Sequence, residues 1–562
     1  MPSRSAFARR VRRSASRLRS AVRERLGSPD PVADGPWARA SLDRASGRLK
    51  VVLERPEDAG TPDEAGAPQV RLRHAAGSLV VPLVHSTDGA HRLEVLSVRR
   101  HGVATPLRPG AWRIEASSPT GWRPVLGREA AGGPVTVQAA GVRYRLVSTP
   151  SGLELRSAVR PSVDRRWTPV QRYRAARLPR SASRRPLERA VVYECFWGRQ
   201  VGGNPLAMVE PIRERFPGIA AYWVVGPGQA SAPEGTTAVV RWSAEWYTRL
   251  ASAELVITNA ALPNHFRRRE GQTVLQTWHG TPLKRLGLDM LSFEHMSPGY
   301  AEGLRVQSAQ WSALVAPSPL CSQVYPRAFA YDGPLLEVGS PRNDLLVAGT
   351  DPARTADIRR RLGVDDRRPI VLVAPTFRDG RHRDGDLAAT GHLDLDSLCR
   401  SLGTDVTVLF RAHNWIDAAS VPIDRPNLIN VTDYPDIAEL YLVTDVLVTD
   451  YSSVMFDFVV TGRPIVFHTP DLEHYRDELR GWYFDLEAEA PGPITRTESE
   501  LTAAIADALD QGTPAALADR YRAFVERFTP WERGDAAQRV ADALLDLTVR
   551  QGGTSTDGHA GR

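Results

Sequence analysis

The sequence predicts an α/β fold made of two doubly wound parallel sheets, preceded by an all-β module and a basic N-terminal helix. Three observations support this prediction. Short apolar runs alternate with helix-length segments from residue 188 onward, and the alternation restarts near residue 349. Residues 31–170 instead carry strand-length runs separated by turn residues. Successive strand–helix units form parallel sheets, because each crossover helix returns along one face of the sheet.

The first α/β domain is predicted over residues 188–348 and the second over 349–548. Their apolar runs have the length and composition of strands that are buried on both faces, as in parallel sheets. The runs of the first domain lie at 191–195, 221–225, 238–242, 255–258, 274–278 and 335–339. Those of the second lie at 370–374, 406–410, 428–431, 446–449 and 464–468, with helices expected in 514–547. Residues 549–562, rich in Gly, Ser and Thr, are expected to be disordered.

Residues 31–170 are predicted to form a compact all-β module, with a sandwich as the expected architecture. Runs such as 49–53 and 79–84 have strand length, and Gly, Pro, Asp and Ser separate them at turn spacing. This module shows no catalytic pattern, so a spacer or docking role is favoured over a second active site. Residues 171–187 are rich in Arg and Ser and contain two prolines, which predicts a basic linker.

Residues 1–30 are predicted to form a basic amphipathic helix. Residues 1–26 contain nine arginines and one glutamate, and their apolar residues recur every three or four positions. Such a segment is typical of a helix that lies on an anionic membrane surface. A basic arm that binds nucleic acid is the alternative. The whole chain has a net charge of +7, so the remaining residues carry no positive excess. We therefore predict a membrane-surface partner and no nucleic acid.

Composition excludes several classes of protein. The chain is 42% hydrophobic and 24% charged, as expected for a folded protein. No apolar stretch approaches the ~18 residues of a membrane span, and the first residues lack the apolar core of a secretory signal. The three cysteines, Cys195, Cys321 and Cys399, are few and far apart, which argues against disulfides and structural zinc. We expect a location at the cytoplasmic face of the membrane.

Five short motifs carry the candidate chemistry, and most of them follow a predicted strand. Ligands bind at the carboxyl ends of strands in open α/β sheets. The candidate residues are Trp278, His279, Gly280, Thr281, Pro282 and Lys284; Arg342; Pro375, Thr376 and Arg378; Arg411, Ala412 and His413; and Ser452, Ser453 and Asp457.

The motifs of the second domain suit a diphosphate. Ser452 and Ser453 precede a predicted helix, whose N-terminus offers free N–H groups and partial positive charge. An ordinary helix cap is the alternative. Arg378 and Arg411 offer charged forks for phosphate oxygens, and His413 could donate to the departing phosphate. Alternatively, Arg378 and Arg411 are ordinary surface residues.

Two motifs near the first domain are also open to alternatives. His279 follows a strand, a place where structural histidines are common. Gly280 allows close approach of a ligand, Lys284 lies nearby and Pro282 is placed to begin a helix, so His279 is a candidate base. Arg342 is a candidate phosphate contact, and an interdomain turn is its alternative.

In this order, the motifs resemble the CDP-glycerol glycerophosphotransferase family, which builds the poly(glycerol phosphate) and poly(ribitol phosphate) chains of teichoic acids. The resemblance covers residues 188–545. It implies a GT-B pair of Rossmann-like domains, a CDP-glycerol or related CDP-alditol donor, and a lipid-linked or polymeric acceptor. It further implies that His279 deprotonates the acceptor hydroxyl, and that Ser452, Ser453 and Asp457 contact the donor. CMP is released, and no cofactor is required.

Two other functions are kept as alternatives: a GT-B glycosyltransferase that uses a nucleotide sugar, and a non-catalytic scaffold at the membrane surface. A metal site is considered and rejected, because its candidate ligands lie in a charged loop and at a helix start. These candidates are His382, Asp384, Asp386, His392, Asp394 and Asp396.

Overall fold

The computed structural model describes most of the strands between residues 37 and 159 and, with gaps, residues 186–553. The gaps in the second range are at 227–231, 264, 291–298, 365–367, 377–392 and 413–424. The predicted N-terminal helix and nearly all of the predicted linker lie outside the described residues. The chain divides into two compact units, one built on the β-strands before residue 159 and one on the α/β part that follows.

The region before residue 159 contains fourteen described strands. They are β1 Trp37–Asp43, β2 Arg48–Glu54, β3 Val70–His74, β4 Gly77–Val81, β5 Val84–His85, β6 His91–Glu94, β7 Ser97–Arg100, β8 Val103–Pro106, β9 Gly110–Ser118, β10 Gly121–Pro124, β11 Leu126–Gly127, β12 Thr136–Ala139, β13 Val142–Thr149 and β14 Gly152–Val159. One sheet has the order β11-β1-β2-β6-β5 and another β12-β13-β14-β9-β3-β4, with β10 beside β9. Strands β7 and β8 pair separately and are grouped with the second unit. Their arrangement as a sandwich stays a prediction.

The first α/β domain, called the N lobe from here on, is built on a parallel sheet of seven strands, with the order β17-β16-β15-β18-β19-β20-β21. These strands are β15 Glu188–Glu194, β16 Ala220–Val225, β17 Thr237–Val240, β18 Ala253–Thr258, β19 Thr273–Gln276, β20 Ala313–Ala316 and β21 Leu335–Glu337. Successive residues of β15 point to opposite faces, so Val192 enters one apolar cluster and Val191 the other. The strand order reverses between β15 and β18, which places a ligand crevice at their carboxyl ends.

Helices cover both faces of this sheet. They are Gly203–Ala207, Val209–Arg215, Ala244–Ser252, Tyr300–Ser308 and Pro319–Phe329, with 3₁₀ turns at Phe196–Gly198, Gly287–Asp289 and Pro341–Asn343. Local sequence explains where two of them begin. The hydroxyl groups of Ser243 and Ser318 accept hydrogen bonds from the backbone N–H groups of Trp246 and Cys321, which caps these helices. All three cysteines are buried and free.

The second α/β domain, called the C lobe, has the same architecture, with a parallel sheet of six strands in the order β24-β23-β22-β25-β26-β27. These strands are β22 Ile370–Val373, β23 Thr407–Phe410, β24 Leu428–Asn430, β25 Val446–Thr449, β26 Ile465–His468 and β27 Ile494–Thr495. Here the order reverses between β22 and β25. Two α/β lobes with parallel sheets are thus present, as the sequence predicts.

The helices of the C lobe are Asp344–Val347, Pro352–Leu362, Leu395–Leu402, Ile437–Val443, Val454–Phe458, Leu472–His474, Leu486–Glu489, Glu498–Gln511 and Ala518–Phe528, with a π-helical turn at Tyr475–Arg480 and 3₁₀ turns at Val459–Thr461 and Ala515–Leu517. Within the described part of the chain, no helix is both long enough and apolar enough to cross a membrane.

The last helix, Ala536–Gly553, corrects two predictions from the sequence. Its residues Val540 and Leu544 are fully buried in the same apolar cluster as Val191 of the N lobe. The helix therefore belongs to the core of the N lobe, although the sequence assigns it to the second domain. It also runs through Gly553, so residues 549–553 are helical and not disordered.

Candidate active site

The two crevices are built alike. Asn259 is the first residue after β18, and its side-chain oxygen Oδ1 accepts a hydrogen bond of 2.8 Å from the backbone N–H of Phe196, which follows β15. Asp450 is the first residue after β25, and its Oδ1 accepts a bond of 2.8 Å from the N–H of Thr376, which follows β22. In each lobe, one side chain fixes the two loops that border the crevice.

His279 lies three residues beyond the end of β19, with its ring orientation fixed. Its Nδ1 lies 2.8 Å from the backbone carbonyl oxygen of Asn259. Because a carbonyl only accepts hydrogen bonds, Nδ1 carries the proton and Nε2 of the neutral ring keeps a lone pair. The ring of Trp278 stacks on the imidazole at 4.3 Å, and the ring of Phe196 lies at 5.3 Å. This tautomer is the one that a general base acting through Nε2 requires.

The electrostatic surroundings keep this imidazole neutral. Burial lowers the pKa of His279 to about 4. The positive charges of Arg342 and Lys284 also lower this pKa, whereas the hydrogen bond to the Asn259 carbonyl raises it. The sequence alone gives no reason to expect a pKa far from the ordinary value of about 6.5. At neutral pH the ring is therefore unprotonated.

We expect the acidic limb of the pH profile of kcat/KM to lie near pH 4, and not near 6.5. A general base works when it is deprotonated, so activity is lost as the pH falls through the pKa of the free enzyme. Bound diphosphate adds negative charge that favours the protonated ring, so the limb of kcat should lie at higher pH. Steady-state rates measured from pH 4 to 8 test this, and a kcat/KM limb at 6.5 would show that the ring is not buried.

Strained backbone surrounds the histidine. Trp278, Phe196 and Trp197 have φ angles of 50°, 42° and 58°, the left-handed region that residues with side chains rarely adopt. Each such residue costs on the order of 1–3 kcal/mol, and such strain clusters at functional sites. Hydrogen bonds hold the turn in place: Oε1 of Gln276 accepts from the N–H of Trp278 at 2.9 Å, and Nδ2 of Asn204 donates to the Thr277 carbonyl at 3.2 Å.

The two lobes meet beside His279. A Cβ atom added to Gly280 would lie 2.6 Å from the hydroxyl oxygen of Ser453, so only glycine allows this approach. Ser453 precedes the helix Val454–Phe458, yet its side chain makes no capping hydrogen bond. For Ser453, the alternative of an ordinary cap is thus not what the structure shows. The structure brings together two motifs that the sequence could place only on separate domains.

Arg342 and Asp457 form an ion pair across the lobes. Nη2 and Nε of Arg342 donate to the two carboxylate oxygens of Asp457 at 2.8 and 3.1 Å. Both side chains are less than one tenth exposed. Pro341–Asn343 is a 3₁₀ turn, which agrees with the alternative of an interdomain turn. The donor contact predicted for each of these side chains stays a prediction, since in this structure they bind each other.

Arg411 has a structural role that the sequence analysis missed. Its side chain is buried, and Nη1 donates to the backbone carbonyls of Val431 and Tyr434 at 2.9 and 2.8 Å. Burial lowers the pKa of this guanidinium. The N–H of Ala412 donates to the hydroxyl of Thr432 at 2.9 Å. Nη1 of Arg411 therefore holds the loop after β24, whereas the sequence predicts that this side chain contacts a phosphate.

Pro282 does not begin a helix, which corrects the prediction from the sequence. The segment that follows pairs instead with a segment of the C lobe: the N–H of Tyr483 donates to the Leu283 carbonyl at 2.8 Å, and Lys284 and Trp482 form an antiparallel bridge. Thr281 is buried, and its hydroxyl accepts from the Cys321 thiol at 3.7 Å. Backbone pairing thus joins the lobes at the segment that follows His279.

Thr376 carries a buried hydroxyl group that has no hydrogen-bond partner among the described residues. Its side chain is 7% exposed and lies at the crevice of the C lobe, next to Pro375. Buried polar atoms are rarely left unpaired, so this hydroxyl is a candidate ligand contact. Arg378 and His413 lie outside the described residues, and their predicted roles stay predictions.

Of the rejected metal candidates, the structure describes two. Asp394 caps the helix Leu395–Leu402 by accepting from two backbone N–H groups, and Asp396 pairs with Arg425. The other four candidates lie outside the described residues. Within the described part of the chain, no group of three or more His, Cys, Asp or Glu residues could hold a metal ion.

Sequence reasoning missed several residues that shape the site, among them Asn259, Asp450, Asn204 and Glu532. Glu532 accepts bonds from the N–H of Ser340 and from the Asn343 side chain at 3.0 and 2.9 Å, and burial raises its pKa to about 8. For Asn259 and Asp450 a signal exists: each is a polar residue directly after an apolar strand beside the reversal of strand order. Asn204 and Glu532 have no such mark.

Comparisons with known proteins identify similar chains. The chain is 36% identical over 378 residues to a teichoic acid poly(glycerol phosphate) polymerase of Bacillus subtilis (strain 168), a match that covers 65% of the chain and 50% of the relative. It is 33% identical over 373 residues to a teichoic acid glycerol-phosphate transferase of Staphylococcus aureus (strain NCTC 8325 / PS 47), with 65% and 94% covered. The chain thus spans about half the length of the Bacillus relative.

Solved structures show the same similarity. A structure of the wall teichoic acid polymerase TagF superposes with a TM-score of 0.61 at 30% identity, and the match covers 68% of this chain and 96% of that one. A family model described as CDP-Glycerol:Poly(glycerophosphate) glycerophosphotransferase matches residues 179–546, which is more than half of the chain. The chain therefore belongs to the CDP-glycerol:poly(glycerophosphate) glycerophosphotransferase family.

Proposed function

We propose that the protein transfers glycerol phosphate from CDP-glycerol, or ribitol phosphate from a related CDP-alditol, to a hydroxyl group of a lipid-linked or polymeric acceptor. The observation that carries this proposal is the contact between Gly280 and Ser453 across the lobes, at the residue that follows His279. It brings the candidate base to the predicted donor site. The names of the relatives support the reaction, and a TagF variant has been soaked with CDPG.

In the proposed reaction, Nε2 of His279 takes the proton of the acceptor hydroxyl. The acceptor oxygen forms a bond to the phosphorus that carries the alditol, while the bond from that phosphorus to the bridging oxygen of the diphosphate breaks. The electron pair stays on the departing CMP. Catalysis of this kind depends on positioning and on neutralising phosphate charge. The neutral tautomer of His279 suits the first step, because the ring can accept a proton without first losing one.

The donor is proposed to lie at the carboxyl ends of the C-lobe strands. Two polar groups are available to phosphate oxygens. They are the hydroxyl of Thr376, which has no hydrogen-bond partner among the described residues, and the hydroxyl of Ser453, which makes no capping hydrogen bond. Lys284 acts on His279 as a nearby positive charge, which also favours a diphosphate. Trp278, Thr281 and Pro282 are proposed to line the acceptor side. Arg378 and His413 complete the donor side as predicted from the sequence.

A donor screen tests the reaction. The purified protein is incubated with an acceptor that ends in glycerol phosphate and with CDP-glycerol, CDP-ribitol or common nucleotide sugars, and nucleotide release is followed. We expect CMP from a CDP-alditol, and release from that donor that is slower by about 10²–10⁴ in the His279→Ala variant. Release of a nucleotide from a nucleotide sugar would favour a glycosyltransferase. A folded protein that releases nucleotide from none of these donors would favour a non-catalytic scaffold.

We also propose that residues 1–26 bind an anionic membrane surface and hold the enzyme at the cytoplasmic face of the membrane. Nine arginines on an amphipathic segment support this proposal, since each basic residue near such a surface contributes about 1 kcal/mol at low salt. Deletion of residues 1–26 should abolish cosedimentation with anionic vesicles and leave the melting temperature unchanged. A truncated protein that binds the vesicles as well as the full chain would contradict the proposal.

A further inference from the structure

We propose that Asn259 is the positioning residue for His279, because one side chain ties together the loop after β15 and the peptide group whose carbonyl orients the imidazole. This inference rests on the proposed role of His279 as the base. Asn259 is fully buried at the crevice of the N lobe. It contacts no reacting atom in the proposed reaction, so its effect on turnover passes through His279.

Every hydrogen-bonding group of Asn259 is used. Its backbone N–H donates to the Glu194 carbonyl at 3.4 Å, and its Nδ2 donates to the Cys195 sulfur at 3.5 Å. Its Oδ1 accepts from the Phe196 N–H at 2.8 Å, and its carbonyl accepts from Nδ1 of His279 at 2.8 Å. Three of these bonds reach residues 194–196, and the fourth reaches the base. The asparagine is therefore the link between that loop and the imidazole.

The side chain controls two of the contacts that hold the ring. Phe196 has a left-handed backbone, with φ of 42°, and its ring lies 5.3 Å from the imidazole. The bond from its N–H to Asn259 keeps it there. The same side chain holds Asn259 against Cys195, which fixes the direction of the carbonyl that receives the Nδ1 proton. Without the amide, the strained turn and the carbonyl are both released, and the neutral ring can take up its more common tautomer, with the proton on Nε2.

The charge of the orienting group also matters. Arg342 and Lys284 are the positive charges that act on His279, and both disfavour the protonated ring. The thiol of Cys195 stays neutral, because burial raises its pKa to about 12. A carbonyl orients the ring without adding a negative charge, so the crevice keeps a positive potential for phosphate groups. A carboxylate in the same place would oppose the donor.

The test compares Asn259→Ala with Asn427→Ala, a matched control in the C lobe. Asn427 is a buried asparagine whose Nδ2 donates to the carbonyls of Cys399 and Gly403. We expect Asn259→Ala to lower kcat roughly 10–100-fold, the range seen when the hydrogen-bond partner that orients a metal-bound histidine is removed. KM for CDP-glycerol should stay within about twofold of the wild-type value, because the donor lies on the other lobe, and Asn427→Ala should keep wild-type kcat.

A direct measurement of the ring accompanies the kinetics. Nitrogen-15 NMR of protein labelled at histidine reports the tautomer, and the His279→Ala variant assigns the signals. We expect the wild type to show the proton on Nδ1 and Asn259→Ala to show a mixture of both tautomers. Asn259→Asp keeps the acceptor for Phe196 and loses the donor to Cys195, so it should keep more of the Nδ1 tautomer than Asn259→Ala, and its new carboxylate should move the acidic limb of kcat/KM to higher pH.

The outcomes separate the two proposals. If Asn259→Ala keeps both wild-type kcat and the wild-type tautomer, the positioning role is wrong. If Asn259→Ala does not fold, Asn259→Asp decides, and an unchanged acidic limb in that variant overturns the inference. If His279→Ala turns over CDP-glycerol as fast as the wild type, the proposed base is wrong, whereas the NMR signals still show whether Asn259 sets the tautomer.

Discussion

His279→Ala is expected to lower turnover of the donor by about 10²–10⁴, the range that general-base catalysis supplies. The reason is geometric. The Asn259 carbonyl holds the proton on Nδ1, which leaves the lone pair on Nε2, and the next residue, Gly280, contacts Ser453. No other change to a single side chain of the N lobe should remove as much of the rate, because this ring is the proposed proton acceptor.

Binding of the donor should survive this change. CDP binding to His279→Ala, measured by titration calorimetry, is expected to stay near the wild-type value. His413→Ala is expected to weaken CDP binding as well as turnover, because His413 is predicted to lie with the diphosphate. His474, an exposed histidine of the C lobe, provides the control, and His474→Ala should behave as wild type. The assignment fails if His279→Ala keeps full turnover or loses CDP binding as severely as His413→Ala.

Asp457→Ala is expected to lower the free energy of unfolding by about 3–5 kcal/mol, the cost of leaving a buried charge without its partner. Arg342 would be that charge. It is 7% exposed, and both of its bonds to Asp457 would be lost. Chemical denaturation followed by fluorescence measures the effect. Asp519, whose bond to Arg522 is exposed to solvent, provides the control, and Asp519→Ala should leave the unfolding midpoint near the wild-type value.

A double variant separates stability from function. Arg342→Met combined with Asp457→Leu replaces the pair by apolar side chains of similar volume, which is often neutral or stabilising. We expect stability to return toward the wild-type value and turnover to stay low, because the ion pair between the lobes is absent. If Asp457→Ala alone unfolds at the wild-type denaturant concentration, the pair does not stabilise the lobes.

Most strands of both lobes can be predicted from the sequence because they are short apolar runs, and the central ones are buried on both faces. The predicted ranges omit the strands Ala313–Ala316 and Ile494–Thr495. The observed Ile370–Val373 and Val446–Thr449 agree within one residue with the predicted ranges. The position of a candidate residue at the end of a strand follows from the same runs. The hydrogen-bonding partner of such a residue does not follow from these runs. Arg342 and Asp457 are 115 positions apart, and no periodicity in the sequence marks them as a pair.

The missed and misassigned residues share one cause. A sequence shows which residue types follow a strand, whereas hydrogen bonding depends on which loops the topology brings together. Arg411 follows β23 as expected, but its Nη1 is used by two carbonyls of the loop after β24. Asn259 carries no motif and still holds the loop on which His279 depends. The pKa of His279 is likewise set by burial that only the fold reveals.

The return of the last helix to the N lobe has a consequence for biosynthesis. The strands of that lobe leave the ribosome before the C lobe, whereas Val540 and Leu544, which complete the apolar cluster around Val191, leave after it. All of the C lobe is translated in between, which takes roughly 10–40 s at ordinary rates of elongation. During that time the nascent chain exposes the part of the N-lobe apolar cluster that the last helix covers. This face is where a chaperone should engage the growing polypeptide.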